Sequence, residues 1–139
     1  MANRLSLELV TPERPAFSGE GDFVVLPAWE GEMGVLPGHA PFLVQLRPGE
    51  VRFESAGETK LFAVSGGFAE VRCDKVSLFA ETAEMAESID SERARQALER
   101  AKKDLQNKAL DSMTLAHAEA AMRRAQVRLK VAQLRLGRR

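Results

Sequence analysis

The run Glu30-Gly31-Glu32-Met33-Gly34-Val35-Leu36-Pro37-Gly38-His39-Ala40-Pro41-Phe42 decides how the rest of the chain is read. Three glycines and two prolines in thirteen residues exclude a helix interior, where glycine costs about 1 kcal/mol relative to alanine and proline about 3. It is not a linker either, because Met33, Val35, Leu36 and Phe42 favour burial. The stretch reads as tight turns packed onto a sheet, with glycine supplying positive φ and proline presetting φ near about −65°. Glu30 and Glu32 project from the first turn and His39 from the second.

Outward from this stretch, strand signals recur on both sides. Leu5, Leu7 and Leu9 alternate with Ser6 and Glu8, the period of a half-buried strand. Thr11-Pro12-Glu13-Arg14-Pro15 breaks the run, and Ala16-Phe17-Ser18-Gly19 begins the return. Phe23-Val24-Val25-Leu26 is a short apolar run fit for a strand covered on both faces. Further strands are expected over 42–46, 51–54, 60–64, 68–71 and 75–79, with turn chemistry between them. Such spacing, with no alternating helices, indicates an antiparallel sandwich or flattened barrel.

The pattern changes after Ala80. Residues 81–87 are acidic and weakly apolar and read as a linker. Asp90 suits the N-cap of a helix beginning at Ser91, with Glu92 favourable in its first turn. Ala94, Ala97, Leu98, Ala101 and Leu105 then fall on one face. A turn over 107–111 follows, with Asp111, Ser112 or Thr114 capping a second helix. There Leu115, Ala118, Met122, Ala125, Leu129, Ala132 and Leu136 step 3-4-3-4-3-4, large residues alternating with alanine. That seam suits two closely approaching antiparallel helices. The fold class is therefore α+β by segregation: a β-sandwich domain over 1–87 and a two-helix hairpin over 88–139.

Composition separates the halves. Residues 1–87 carry 7 Lys and Arg against 14 Asp and Glu, and residues 88–139 carry 13 against 6. The basic half can dock on an acidic surface or on phosphates, or simply solvate its face. Cys73 is the only cysteine, so there is no disulfide and no cysteine-based zinc site, as fits a reducing compartment. The N-terminus alternates and carries Glu8, unlike a signal peptide. No apolar run approaches the roughly 20 residues of a membrane helix, so membrane association is expected only through a partner. No G-x-x-x-x-G-K-[ST] loop occurs. His39 and His117 sit in different halves, which leaves little for a histidine metal site or a catalytic triad. No catalytic centre and no required cofactor or metal are expected.

The 30–42 run, with its G-E-x-G-x-x-P-G-H-A-P pattern, resembles the signature segment of the epsilon subunit of the rotary F-type ATP synthase, of bacterial or chloroplast type. The resemblance extends to the order of the parts, β first and helical hairpin after. It implies a non-catalytic central-stalk subunit of the proton-translocating synthase, coupling rotation between membrane ring and catalytic head. It implies a sandwich that docks on the gamma subunit and the membrane c-subunit ring, with Glu30, Gly31, Glu32 and His39 near those contacts. It also implies that the basic second helix, through Arg123, Arg124, Arg128, Lys130 and Arg135, meets the catalytic beta (and alpha) subunits and inhibits ATP hydrolysis. The location implied is peripheral, on the cytoplasmic face of the bacterial plasma membrane or on the thylakoid.

Ile89-Asp90-Ser91-Glu92-Arg93-Ala94 resembles the I/L-D-x-x-R-A motif by which several bacterial epsilon subunits bind ATP on the folded hairpin, as a regulatory ligand. Ile89, Asp90, Arg93 and Ala94 carry over by motif; Arg100 and Arg123 match by position. Asp90 can accept hydrogen bonds from the adenine amino group or cap the helix. Arg93, Arg100 and Arg123 can meet phosphates through guanidinium forks. The alternative for a basic hairpin is nucleic-acid binding. Helices expected over 91–105 and 115–136 contain no aromatic residue, so they lack a stacking platform, and the acidic first half repels phosphates.

Overall fold

The computed structural model describes residues 4–107 and 109–137; residues 1–3, Lys108 in the expected inter-helix turn, Arg138, Arg139 and the side chain of Leu136 lie outside the described residues. The chain divides into two compact units, one ending at Met85 and the other beginning at Ala86.

The first unit is all β: β1 (Leu5–Val10), β2 (Pro15–Gly21), β3 (Phe23–Ala28), β4 (Gly31–Val35), β5 (Phe42–Leu46), β6 (Gly49–Ser55), β7 (Glu58–Val64), β8 (Gly67–Arg72), β9 (Lys75–Ala80) and β10 (Ala83–Met85). The strand order is β10-β7-β6-β3-β5-β8-β9-β1-β2, with β4 on β3. All pairings are antiparallel except β1 with β9. The sheet folds over at β3 and β5, which share the single pair Ala28 and Leu46. On the other side, the Asp22 N–H donates to the Glu54 carbonyl at 2.7 Å. The result is the flattened barrel that the strand spacing indicates.

Period-2 alternation decides what enters the core. Leu5, Leu7 and Leu9 of β1 pack with Val76 and Leu78 of β9 and Ala69 and Val71 of β8, against Val24, Leu26, Val51, Phe53 and Phe62 from the facing layer. The Phe17 ring meets Phe53 edge-on at 5.8 Å and Phe62 at 5.0 Å. Each large side chain so buried stabilises by roughly 1.5–3 kcal/mol before ordering entropy. β3 differs from its expected two-sided burial: Val24 and Leu26 are buried, but Phe23 and Val25 are only half-buried.

Two segments are more regular than expected. Residues 30–42 form a turn, a strand and a turn rather than turns alone, because Gly31, Met33 and Val35 alternate inward and β4 pairs with β3 over its whole length. Gly31 and Gly38 do hold positive φ (139° and 84°), whereas Gly34 lies within the strand. The 81–87 linker is instead edge strand β10 followed by a 3₁₀ turn, Ala86–Ser88. The exposed edge of β7 offers unpaired backbone groups, and Ala83 and Met85 find apolar contact with the core there.

The second unit holds α1 (Ser91–Gln106) and α2 (Ser112–Gly137) packed as a hairpin, with the 3₁₀ turn against α2. Asp90 caps α1, its carboxylate accepting from the Arg93 N–H at 3.0 Å. Asp111 caps α2, accepting from the Thr114 N–H at 2.7 Å. In the helices, Ala94, Ala101, Ala118, Ala125 and Ala132 are buried. Leu98, Leu105, Leu115, Met122 and Leu129 are only half-buried. The centre of the seam is therefore alanine, with the large residues flanking it, the reverse of an ordinary leucine seam. Val131, off that seam, is also buried.

Candidate functional site

The residues expected at subunit contacts occupy opposite ends of β4. A strand rises about 3.3 Å per residue, so Gly31 and Val35 stand roughly 13 Å apart. Glu30, Gly31 and Glu32 form one tip of the sandwich, and His39 belongs to the loop at the other. They cannot share one small contact.

At the first tip, Glu32 Oε2 lies 3.5 Å from Arg52 Nη2, and Arg52 Nε lies 3.9 Å from Glu50 Oε1. The tip is not purely acidic. Trp29 is 55% exposed, and Leu43 of β5 is 71% exposed across a shallow depression that also includes Glu30, Glu32 and Met33.

At the second end, the His39 N–H closes a turn on the Leu36 carbonyl at 3.2 Å. His39 Nδ1–H donates to the Ala40 carbonyl at 2.8 Å, and the ring lies 4.8 Å from Phe42. Leu36 is 61% exposed beside it.

Sequence reading missed an apolar stripe on the outer face of β5, β8, β9 and β1. Phe68 pairs in register with Phe79, their rings 6.1 Å apart, and they are 54% and 41% exposed. Val10 lies opposite Phe79 on β1, and Leu43 lies diagonal to Phe68 on β5. Together with Val10 and Pro12 the two rings line a shallow apolar groove. Clustered exposed apolar surface of this kind marks interaction sites, whereas single exposed residues do not. The available signal was phase: Phe68 and Phe79 alternate against the inward Ala69, Val71, Val76 and Leu78. Only the pairing register joins them.

In the hairpin, Ile89 and Ala94 are buried, and Asp90 is engaged as the α1 cap. Arg93, Arg100, Arg123 and Arg124 are exposed, and none of the four makes an ion pair among the described residues. The buried alanines recur at seven-residue spacing, Ala94 and Ala101 on α1 and Ala118, Ala125 and Ala132 on α2. Arg93 and Arg100 lie seven residues apart on α1, about 10 Å along its axis at 1.5 Å per residue, and Arg123 is on α2. The candidate inhibitory residues do not form one face. At about 100° per residue, Arg124, Arg128 and Arg135 fall on one ridge and Arg123 and Lys130 on another. Among the described residues no group of histidine, cysteine and carboxylate side chains can hold a metal, and no helix is long and apolar enough to cross a membrane.

Two family models match. The ATP synthase delta/epsilon chain β-sandwich domain matches residues 4–86, and the long α-helix domain of the same chain matches residues 87–133. The chain belongs to the ATP synthase epsilon-chain family. It is 48% identical over 132 residues to the ATP synthase epsilon chain of Dehalococcoides mccartyi, covering 95% of this chain and 94% of that one. It is 46% identical to that of Herpetosiphon aurantiacus (96% and 98% covered) and 45% identical to that of Bacillus velezensis (92% and 96% covered). Among solved structures it resembles a chain of the Euglena gracilis mitochondrial ATP synthase, solved as OSCP, F1 and c-ring. That match has a TM-score of 0.80 at 29% identity, covering 94% of this chain and 81% of that one. A chain of the Tetrahymena thermophila central stalk and c-ring shares the fold, with a TM-score of 0.61 at 15% identity over 94% of this chain and 97% of that one.

Proposed function

We propose that this chain is a non-catalytic central-stalk subunit that couples rotation of the membrane c-ring to the catalytic head and restrains ATP hydrolysis through its C-terminal hairpin. One observation carries the reading: the likeness to epsilon chains runs through both units, at 45–48% identity over more than nine-tenths of the chain. The sandwich docks on the gamma subunit and the c-ring, through the acidic tip at Glu30, Gly31 and Glu32, the His39 loop and the Phe68–Phe79 stripe. The hairpin presents Arg123, Arg124, Arg128, Lys130 and Arg135 to the catalytic beta and alpha subunits. The complex holds the chain peripherally at the cytoplasmic face of the plasma membrane.

ATP acts as a regulatory ligand of the closed hairpin, with Asp90, Arg93, Arg100 and Arg123 around it and the buried Ile89 and Ala94 supporting the start of α1. The energetics permit such control. Ligand at 100 times its dissociation constant contributes about 2.7 kcal/mol, comparable to what an alanine-centred seam supplies at about 0.8 kcal/mol per buried methyl group.

Single cysteines in place of Glu32 and His39 test the docking. The native Cys73 is exposed and is first replaced, as Cys73→Asn, because its φ of 50° suits asparagine. Crosslinking in solubilised membranes is expected to join the chain to the gamma and c subunits. Crosslinks to neither refute the assignment.

A further inference from the structure

We infer that Asp74 is the positioning residue of the His39 loop: its carboxylate tethers that loop to the sheet and sets how the loop is offered to a partner. The inference rests on the reading of the His39 loop as a docking element. Its basis is a bond between residues 36 positions apart: the Gly38 N–H donates to Asp74 Oδ1 at 2.7 Å. A carboxylate acceptor makes this one of the stronger hydrogen-bond types.

Asp74 is held from both sides. It is the second central residue of the two-residue turn between β8 and β9, where Cys73 and Asp74 have φ of 50° and 59°. Such turns need positive φ at both central positions, which aspartate tolerates and cysteine does not favour. The Asp74 carbonyl in turn accepts from the Ser6 N–H of β1 at 2.8 Å. Its backbone is thereby tied into the β8–β9–β1 surface while its side chain reaches the loop.

The loop is also held by the His39 ring, which packs 4.8 Å from Phe42, itself in contact with the core. Its other hydrogen bonds among the described residues are internal, from the His39 N–H to Leu36 and from the His39 ring to Ala40. Gly38 itself sits at φ of 84° with open space where a Cβ would be. Pro37 and Pro41 restrict the backbone on either side, and the tether adds a fixed point at the apex of the loop. The Asp74 carboxylate therefore joins the apex of the loop, between Leu36 and His39, to the β8–β9 turn.

The test compares two substitutions in the full chain. Asp74→Gly removes the acceptor while suiting the positive φ, so the turn and the thermal midpoint are retained. Asp74→Asn keeps both an acceptor oxygen and tolerance of that φ. Amide exchange followed by NMR is expected to show Gly38 exchanging about tenfold faster in Asp74→Gly and near the native rate in Asp74→Asn. Binding to ATP synthase depleted of this subunit is expected to weaken about tenfold for Asp74→Gly and to be preserved in Asp74→Asn. Unchanged protection of Gly38 in Asp74→Gly overturns the tether. Faster exchange with unchanged binding, while His39→Ala weakens binding, overturns the positioning role. If neither Asp74→Gly nor His39→Ala alters binding, the contact reading itself is overturned, and faster exchange at Gly38 still supports the tether.

Discussion

Replacing Ala125 with leucine should open the helical hairpin while leaving the sandwich intact. Ala125 is 2% exposed at the centre of α2, and Ala94 on α1 is fully buried. Buried alanines on both helices let them approach closely, and a leucine at such a position forces them apart or off-rotamer. Overpacking of this kind costs about 1–3 kcal/mol, which converts to a shift of roughly 5- to 150-fold in the ratio of closed to open forms. The seam has little reserve, since the five buried alanines together contribute about 4 kcal/mol before ordering entropy at roughly 0.8 kcal/mol per methyl. Hydrogen exchange read by mass spectrometry separates the two units. Amides of α1 and α2 in Ala125→Leu should lose protection by that factor, and β-strand amides should not change. Ala120→Leu is the control, because Ala120 is exposed on the same helix and surface substitutions usually stay within about 0.5 kcal/mol. Native-like hairpin protection in Ala125→Leu would show that the alanines are not the close contact.

Other perturbations report on other parts. Gly67→Ala should destabilise the sandwich by about 1–3 kcal/mol or more, measured by denaturant unfolding, because a Cβ there overlaps the Phe79 carbonyl oxygen at a φ of 127°. The hairpin should weaken in acid. The Asp111 carboxyl is held below its ordinary value of 3.8, first by the Thr114 backbone N–H and then by the Thr114 side chain. A depressed folded-state pKa gives stability that is present above pH 3.8 and lost as pH falls through the folded value. Asp111→Asn should flatten this part of an acid titration followed by helix content. Phe68→Glu, on an exposed ring, should leave folding within about 0.5 kcal/mol yet abolish retention on the stripped synthase in a pull-down. Calorimetric titration with ATP should give heat for the native chain and none for Arg93→Ala; silence in both would remove the nucleotide from the regulation.

The strand half was legible because alternation is a strong local signal. Leu5, Leu7 and Leu9 announced a one-sided strand, and the structure buries all three. Residues 81–87 were not legible, since β10 is defined by the vacant edge of β7, a partner that local composition does not reveal. The hairpin seam was visible as a 3-4 repeat, but which of its residues lie deepest was not. Periodicity finds the face, and helix separation then decides whether alanine or leucine sits at its centre. At the docking surfaces the individual residues were readable and their grouping was not. Glu32 and His39 lie seven positions apart in sequence and at opposite ends of a strand in space. Phe68 and Phe79 lie eleven apart and touch. The Asp74 tether to Gly38 depends on two turns that only the folded sheet brings together.

The most direct measurement is ATP hydrolysis by synthase reassembled with the full chain or with a chain ending at residue 87. A sandwich that docks by itself and a hairpin that restrains the motor require the shortened chain to co-purify with the complex and to hydrolyse ATP faster. Assembly with hydrolysis as slow as with the full chain would contradict the hairpin's role, and loss of assembly would contradict the sandwich as the anchor.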